Sequence, residues 1–391
     1  MKRIPFGVWR LGLVSLFMDM SSEMVHAVLP LFVVGTLGAS TAVLGLLEAV
    51  SSLVAQFAKL YSGLISDRMQ SRKGLALLGY AMAALSKPLF PLATAAWMVF
   101  AARIFDRIGK GIRGAPRDAM AADMTPLTQR GAAFGLRQSM DSFGAFAGPL
   151  IAVALVGLYA FDVRALLWVA CVPALICVAI LAFGVSEPLR IVPAKKLPTS
   201  LSIETAKALG PKFWLAALIA VGIYLARISD AFLVLRASQL GLTLMFIPLV
   251  LVVYNGVDTL TSYPSGALSD RFGRKLPLAL SLVALAISMG LLAYSNSITM
   301  LWVSLVFFGL HMALSASVLS SLIADTAPPE LRASAFGMFS FVTGIASFVG
   351  ALAVGFAWEI IGAPNVFFIA ALVAVVALGL LSLSRDQSQP E

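Results

Sequence analysis

The stretch from Arg103 to Asp118, RIFDRIGKGIRGAPRD, sets seven charged side chains inside an otherwise apolar region. Wound at 100° per residue, Arg103, Asp106, Arg107, Lys110, Arg113, Arg117 and Asp118 share roughly 140° of one helix face. A stripe of this kind binds a counter-charge or passes protons. It cannot face lipid, because a charge at the bilayer centre costs about 2.5–3.5 kcal/mol even on the lenient insertion scale. Five of the seven are basic and two acidic, so other helices, a counterion or a substrate must answer the surplus.

A second group stands near the start of the chain. Asp19, Glu23 and His26 lie at i, i+4 and i+7, within about 60° of one another, with Pro30 on the same face. Neighbouring carboxylates in low dielectric suit a group that takes up and releases a proton in each cycle. With Met20 and Met24 nearby, the trio also offers oxygen, nitrogen and sulfur donors to a divalent metal. The third reading is that Asp19 and Glu23 neutralise the arginines of the stripe. Glu48 is expected to face the same cavity, while Lys59 and Lys87 read as snorkelling lysines. Asp141, four residues beyond Arg137, is expected to pair with it and is deep enough to carry a proton. Tyr224, Arg227 and Asp230 are expected on one face of a later helix, with Arg227 approaching Glu23 across the cavity. Asn255 and Asp258 are weaker candidates.

These groups need a frame, and composition says which. Of 391 residues, 60% are hydrophobic and 12% charged, far outside the balance of a water-soluble domain. Apolar runs of 20 or more residues recur, each able to cross about 30 Å of hydrocarbon as a helix. Twelve spans are expected near 8–35, 41–66, 74–94, 96–122, 131–158, 164–186, 212–238, 243–268, 275–294, 298–325, 332–361 and 364–384. The net charge of +9 does not point to nucleic acid. Lysines and arginines alternate by side of the membrane, which places both termini and the central loop in the cytoplasm. Asp19 and Glu23 inside the first apolar run argue for a retained helix rather than a cleaved signal. Cys171 and Cys177 read as small core residues.

The chain also repeats itself. GLISDR at 63–68 returns as GALSDR at 266–271, and Asp123, Arg130, Phe134 and Gly135 return as Asp325, Arg332, Phe336 and Gly337. A six-plus-six duplication predicts a bundle over 1–186, a cytoplasmic linker over 187–211 and a second bundle over 212–391, with a substrate site near mid-membrane. Within each copy, an Asp at a helix end with basic residues in a short turn predicts a charge-assisted latch. Its residues are Gly63, Asp67 and Arg68 in the first copy and Gly266, Asp270, Arg271 and Arg274 in the second.

On these motifs the chain resembles the major facilitator superfamily over essentially its whole length. The superfamily's Gly-x-x-x-Asp-Arg-x-Gly-Arg-Arg/Lys loop is matched by Gly63, Asp67, Arg68 and Arg72, with Gln70 and Ser71 departing from it, and again by Gly266, Asp270, Arg271, Gly273, Arg274 and Lys275. Its Arg-x-x-Gln-Gly motif is similar at Arg103, which the resemblance implies is linked to proton coupling, although Asp106 and Arg107 depart. Gly144, Gly148 and Pro149 resemble its Gly-x-x-x-Gly-Pro motif, associated with exchangers and exporters; physically, the glycines permit close helix packing. The resemblance implies an all-α membrane protein of twelve transmembrane helices in two pseudo-symmetric six-helix bundles.

The expected activity is secondary transport of a small solute by alternating access, with proton-coupled efflux of a metal ion or small organic molecule preferred. The alternative is uptake or exchange of a small anion, cradled by Arg103, Arg107 and Lys110. No Gly-x-x-x-x-Gly-Lys-Ser/Thr loop is present, and HExxH, GxSxG and a Cys/His pair are also missing, which disfavours an ATP-driven pump or a membrane enzyme. A non-transporting sensor is the remaining competitor. No cofactor is expected. The expected partners are the small-molecule or ion substrate, protons and membrane lipid, with the chain acting as a monomer in the inner membrane.

Overall fold

A computed structural model describes residues 4–38, 41–69, 71–159, 162–187, 203–242 and 248–383. Among them the regular structure is helical throughout. The described residues of the expected spans are predominantly helical, because a backbone in hydrocarbon must satisfy its N–H and C=O groups within its own segment. Helices long and apolar enough to cross a membrane occupy Arg72–Leu92, Val163–Gly184, Lys275–Tyr294, Ile298–Thr326, Pro329–Trp358 and Ala363–Ser382. The other long helices carry the charge: Phe6–Pro30, Thr41–Arg68, Ala96–Asp123 and Pro248–Phe272 among them.

Two compact units divide the chain. The first comprises Met1–Pro126, Met140–Leu209 and Ala327–Phe341; the second comprises Leu127–Ser139, Gly210–Thr326 and Val342–Glu391. In the first, one apolar core runs from Met24 to Phe32 on the first span to Val99 and Ala102 on the fourth and Leu166 and Leu167 on the sixth. In the second, the matching core joins Leu233, Leu285, Met289, Leu305, Phe308 and Phe367.

The seventh span departs from expectation. The apolar pattern predicts one helix over 212–238, but the structure has two, Gly210–Ala226 and Asp230–Gln239, with Arg227, Ile228 and Ser229 between them out of helical conformation. Tyr224, Arg227 and Asp230 therefore do not share the face of one continuous helix. The break falls where a charged pair would otherwise enter the middle of an apolar rod.

Candidate functional site

Glycines set the fourth span, Ala96–Asp123, into place. Gly109 and Gly79 meet so closely that a Cβ on either would overlap the other's carbonyl oxygen. A Cβ on Gly111 would overlap Ala58 and the Ala55 carbonyl. The hydroxyl of Ser62 donates to the Ile112 carbonyl. Clamped between the second and third spans, the fourth presents its charged stripe to the first.

Most of the stripe is answered by protein. Arg103 is buried, and its Nη2 lies 2.9 Å from Nδ1 of His26. Arginine only donates, so Nδ1 is the accepting nitrogen. Asp106 is buried and takes the ammonium of Lys87 at 2.8 Å and the hydroxyl of Ser86 at 3.2 Å. Lys87 also donates to Ser22 Oγ at 3.1 Å and is only 1% exposed. This corrects the snorkelling reading of Lys87: it turns inward, because Asp106 on the neighbouring helix offers a fixed counter-charge. Nε of Arg107 stands 3.7 Å from the other Asp106 oxygen, a looser approach.

Further along, Arg113 lies over the Tyr80 ring at 4.4 Å and reaches Asp19 at 3.5 Å. Arg117 bonds Asp118 at 2.9 Å and Ser15 at 3.0 Å, and stands 3.9 Å from Asp141. Lys59 reaches Asp118 at 3.4 Å. Lys59 is thus tied to the stripe, and Arg117 binds Asp118 within it and reaches the first and fifth spans.

Two charged groups stand apart. Among the described residues Lys110 and Glu23 form no ion pair or hydrogen bond, Lys110 being exposed and Glu23 half-buried. Lys110 lies in the electrostatic field of Arg107, Asp19, Glu23 and Arg113. The fifth span packs closely beside Glu23. Gly144 rests on Leu16 and Met20, and Gly148 on Met20, Glu23 and Met24, so the helix Arg130–Tyr159, which runs through Pro149, lies directly against the first span. The side chain of Glu48 lies outside the described residues.

The metal reading loses ground. Among the described residues, no three His, Cys, Asp or Glu side chains gather around a point that could hold an ion. Asp19 is turned to Arg113 and His26 to Arg103, and a cation at either would have to displace a guanidinium.

In the second unit, Arg227 donates to the Met312 sulfur at 3.1 Å and lies over the Tyr224 ring at 4.7 Å. Asp230 accepts from Tyr254 at 2.8 Å. Asp258 is buried and bonds Ser262 at 2.6 Å and Gln138 at 3.2 Å. His311, fully buried, shares its Nδ1 with the hydroxyl and carbonyl of Ser281.

The duplicated loops form two similar latches. Asp67 accepts the backbone N–H groups of Ala333 and Ser334 at 3.1 and 2.6 Å, and Arg72 at 2.8 Å. Asp270 accepts those of Gly131 and Ala132, both at 2.7 Å, and Arg274 at 2.8 Å. Each carboxylate thus sits on a helix N-terminus, where unpaired N–H groups and the helix dipole favour negative charge. A Cβ at Gly63 would overlap the Ala333 carbonyl, and one at Gly266 that of Gly131. Arg68 and Arg271 are exposed; the arginines on these carboxylates are Arg72 and Arg274.

Sequence reasoning missed the second half of each latch. Arg72 also lies 3.5 Å from Asp123, which Arg332 bonds at 2.6 Å. Arg274 reaches Asp325 at 2.8 Å, and Arg130 reaches it at 2.9 Å. The repeat had marked all four of these acids and arginines, and their recurrence was the available signal. Glu187 was missed as well. Its carboxylate accepts from Ser71 Oγ, Arg72 N and Lys73 N at 2.9, 2.7 and 2.9 Å, capping the helix Arg72–Ser86.

Known proteins agree with this architecture. The family model described as Major Facilitator Superfamily matches residues 11–257 and 227–391. An uncharacterised MFS-type transporter of Methanocaldococcus jannaschii is 30% identical over 98% of this chain and 95% of its own. An uncharacterised protein of Mycobacterium tuberculosis is 28% identical over the same shares. Among solved structures, the human organic anion transporter MFSD10 superposes with a TM-score of 0.79 at 16% identity, covering 96% of this chain and 98% of that one. The proton:xylose symporter XylE gives 0.76 at 15% identity, covering 96% and 95%. Both of these likenesses speak for the fold alone. With helices throughout, duplicated loops and a family match along its length, the chain belongs to the major facilitator superfamily of membrane transporters.

Proposed function

We propose that this transporter carries a small solute bearing an anionic group, anchored by Lys110 with help from Arg107, and that Glu23 takes a proton in the same cycle. One observation carries the reading: in a cluster where the other described charges have partners, an exposed ammonium and a nearby carboxylate are left without one. A charge within a span needs an answer, and cargo supplies it at Lys110 while a proton supplies it at Glu23. The two loads reinforce each other. Protonating Glu23 removes the negative charge that competes with an anion for Lys110, so proton and anion bind together, which favours co-transport over exchange of one for the other. The bundles 1–186 and 212–391 are the bodies that alternate in access, in a cytoplasmic membrane with both termini inside.

A second reading keeps export of a small organic molecule. The packing of Gly144 and Gly148 on the first span favours it, as does similarity over 111 residues, 28% of this chain, to the class B tetracycline resistance protein of Escherichia coli at 39% identity.

A pH-jump assay in proteoliposomes separates the readings, using acetate, benzoate, inorganic phosphate and a panel of organic cations. Proton flux in the same direction as one of the anions, lost in both Lys110→Ala and Glu23→Gln, is the expected result. Flux opposite to an organic cation, intact in Lys110→Ala, would instead establish the second reading.

A further inference from the structure

Lys87 and Asp106 form an ion pair out of reach of solvent, joined by Ser22 and Ser86. A buried pair of this kind contributes little net stability, because desolvation offsets the attraction. The second unit shows what the fold accepts in its place. Arg72 meets Asp123 as Arg274 meets Asp325, and Gly79 meets Gly109 where Ser281 meets His311, each second partner standing 202 positions beyond the first. In that register Ser86 stays a serine, Ser288, but Lys87 becomes Met289 and Asp106 becomes Phe308, both fully buried. The same crossing of helices is thus built from a thioether and a ring.

What the pair does in the first unit follows from its neighbour. Lys87 holds one oxygen of Asp106 at 2.8 Å, and Arg107 approaches the other only to 3.7 Å, beyond a hydrogen bond. Were Lys87 neutral, Asp106 would be a lone buried charge, and Arg107, the next residue, would be drawn in to pair with it. Its guanidinium would then turn away from Lys110, three residues along the same face.

We propose that Lys87 is a positioning residue: by satisfying Asp106, it keeps Arg107 only loosely held there and able to join Lys110 in holding an anion. The proposal rests on the reading of Lys110 as the anion anchor. Lys87 itself touches no cargo.

The test uses Lys110 as its own reporter. The purified full chain is treated with an anionic amine reagent, trinitrobenzenesulfonate, and with an uncharged one, N-hydroxysuccinimidyl acetate. Modification of Lys110 is followed by mass spectrometry, each rate being normalised to the same reagent on N-acetyl-lysine. A basic site concentrates anions, so the anionic reagent should gain about tenfold over the neutral one, at the low end of such focusing. In Lys87→Met that advantage should vanish while the neutral rate holds. In Lys87→Met/Asp106→Asn, which leaves no buried charge to recruit Arg107, it should return. An advantage that survives Lys87→Met, or that stays lost in a monodisperse double variant, overturns the role of Lys87. No advantage in the wild-type chain would sink the anion reading of Lys110 and this proposal with it.

Discussion

Arg72 is a buried charge that stands between two carboxylates in the first unit. Fully buried, it faces Asp67 at 2.8 Å and Asp123 at 3.5 Å. Arg72→Ala breaks its buried pair with Asp67, a change worth about 3–5 kcal/mol. Its checkable outcome is a sharp loss of folded protein in a detergent melt, and a variant as stable as wild type would contradict the burial argument. Lys110→Ala should do the reverse: exposed and unpaired among the described residues, the side chain contributes little to the fold, so stability should hold within about 0.5 kcal/mol while anion binding falls. How far single residues could be read from sequence follows the same division. The charges of the fourth span were legible because a helix repeats every 3.6 residues, which fixes a face from spacing alone. Lys87 was not, since its partner lies on another helix and depends on how the two are rotated, a matter decided by Gly79 and Gly109 in contact.

At the level of elements, the latches turn helix ends into charge sensors. Asp67→Asn keeps an oxygen for the N–H groups of Ala333 and Ser334 but removes the charge, and charge-assisted bonds are roughly twice as strong as neutral ones. Transport should therefore fall while membrane abundance stays level; equal losses in transport assay and quantitative blot would reduce Asp67 to a structural role. Gly266→Val tests the close approach behind the second latch. A branched side chain there meets the backbone of Gly131, which has nowhere to go, and overpacking costs typically about 1–3 kcal/mol. The expected readout is a lowered melting temperature, and an unchanged one would show that the two helices can part freely. Helix positions were legible from hydropathy because each apolar run had to be about one bilayer thick. The break at Arg227–Ser229 was not: the sequence there, YLARISDAF from Tyr224 to Phe232, contains neither proline nor glycine, the residues that announce a break in advance.

For the whole molecule, duplication made the fold legible and concealed the asymmetry of its chemistry. Equivalent loops give equivalent latches, yet the first is one residue longer: Asp67 to Arg72 spans five positions and Asp270 to Arg274 four, with Gly273 at φ 82° taking the tighter turn. The fourth and tenth spans diverge more. Lys110 corresponds to Met312, 202 positions on, and there a cation arrives from the seventh span instead, as Arg227 on the methionine sulfur. If proton and anion load together, affinity for a transported anion should rise as pH falls, by up to about tenfold per pH unit over the range in which one proton accompanies each anion. Binding that is flat with pH in the wild-type chain, or as steep in Glu23→Gln, would dissociate the two loads.

Glu187 has a practical consequence. Three hydrogen bonds from the start of the third span, from Ser71 Oγ and the backbone of Arg72 and Lys73, converge on its carboxylate, so one side chain beyond the sixth span caps the third. Glu187→Ala would therefore act on two helix ends at once, the third span losing its cap and the end of the sixth its anchor on it.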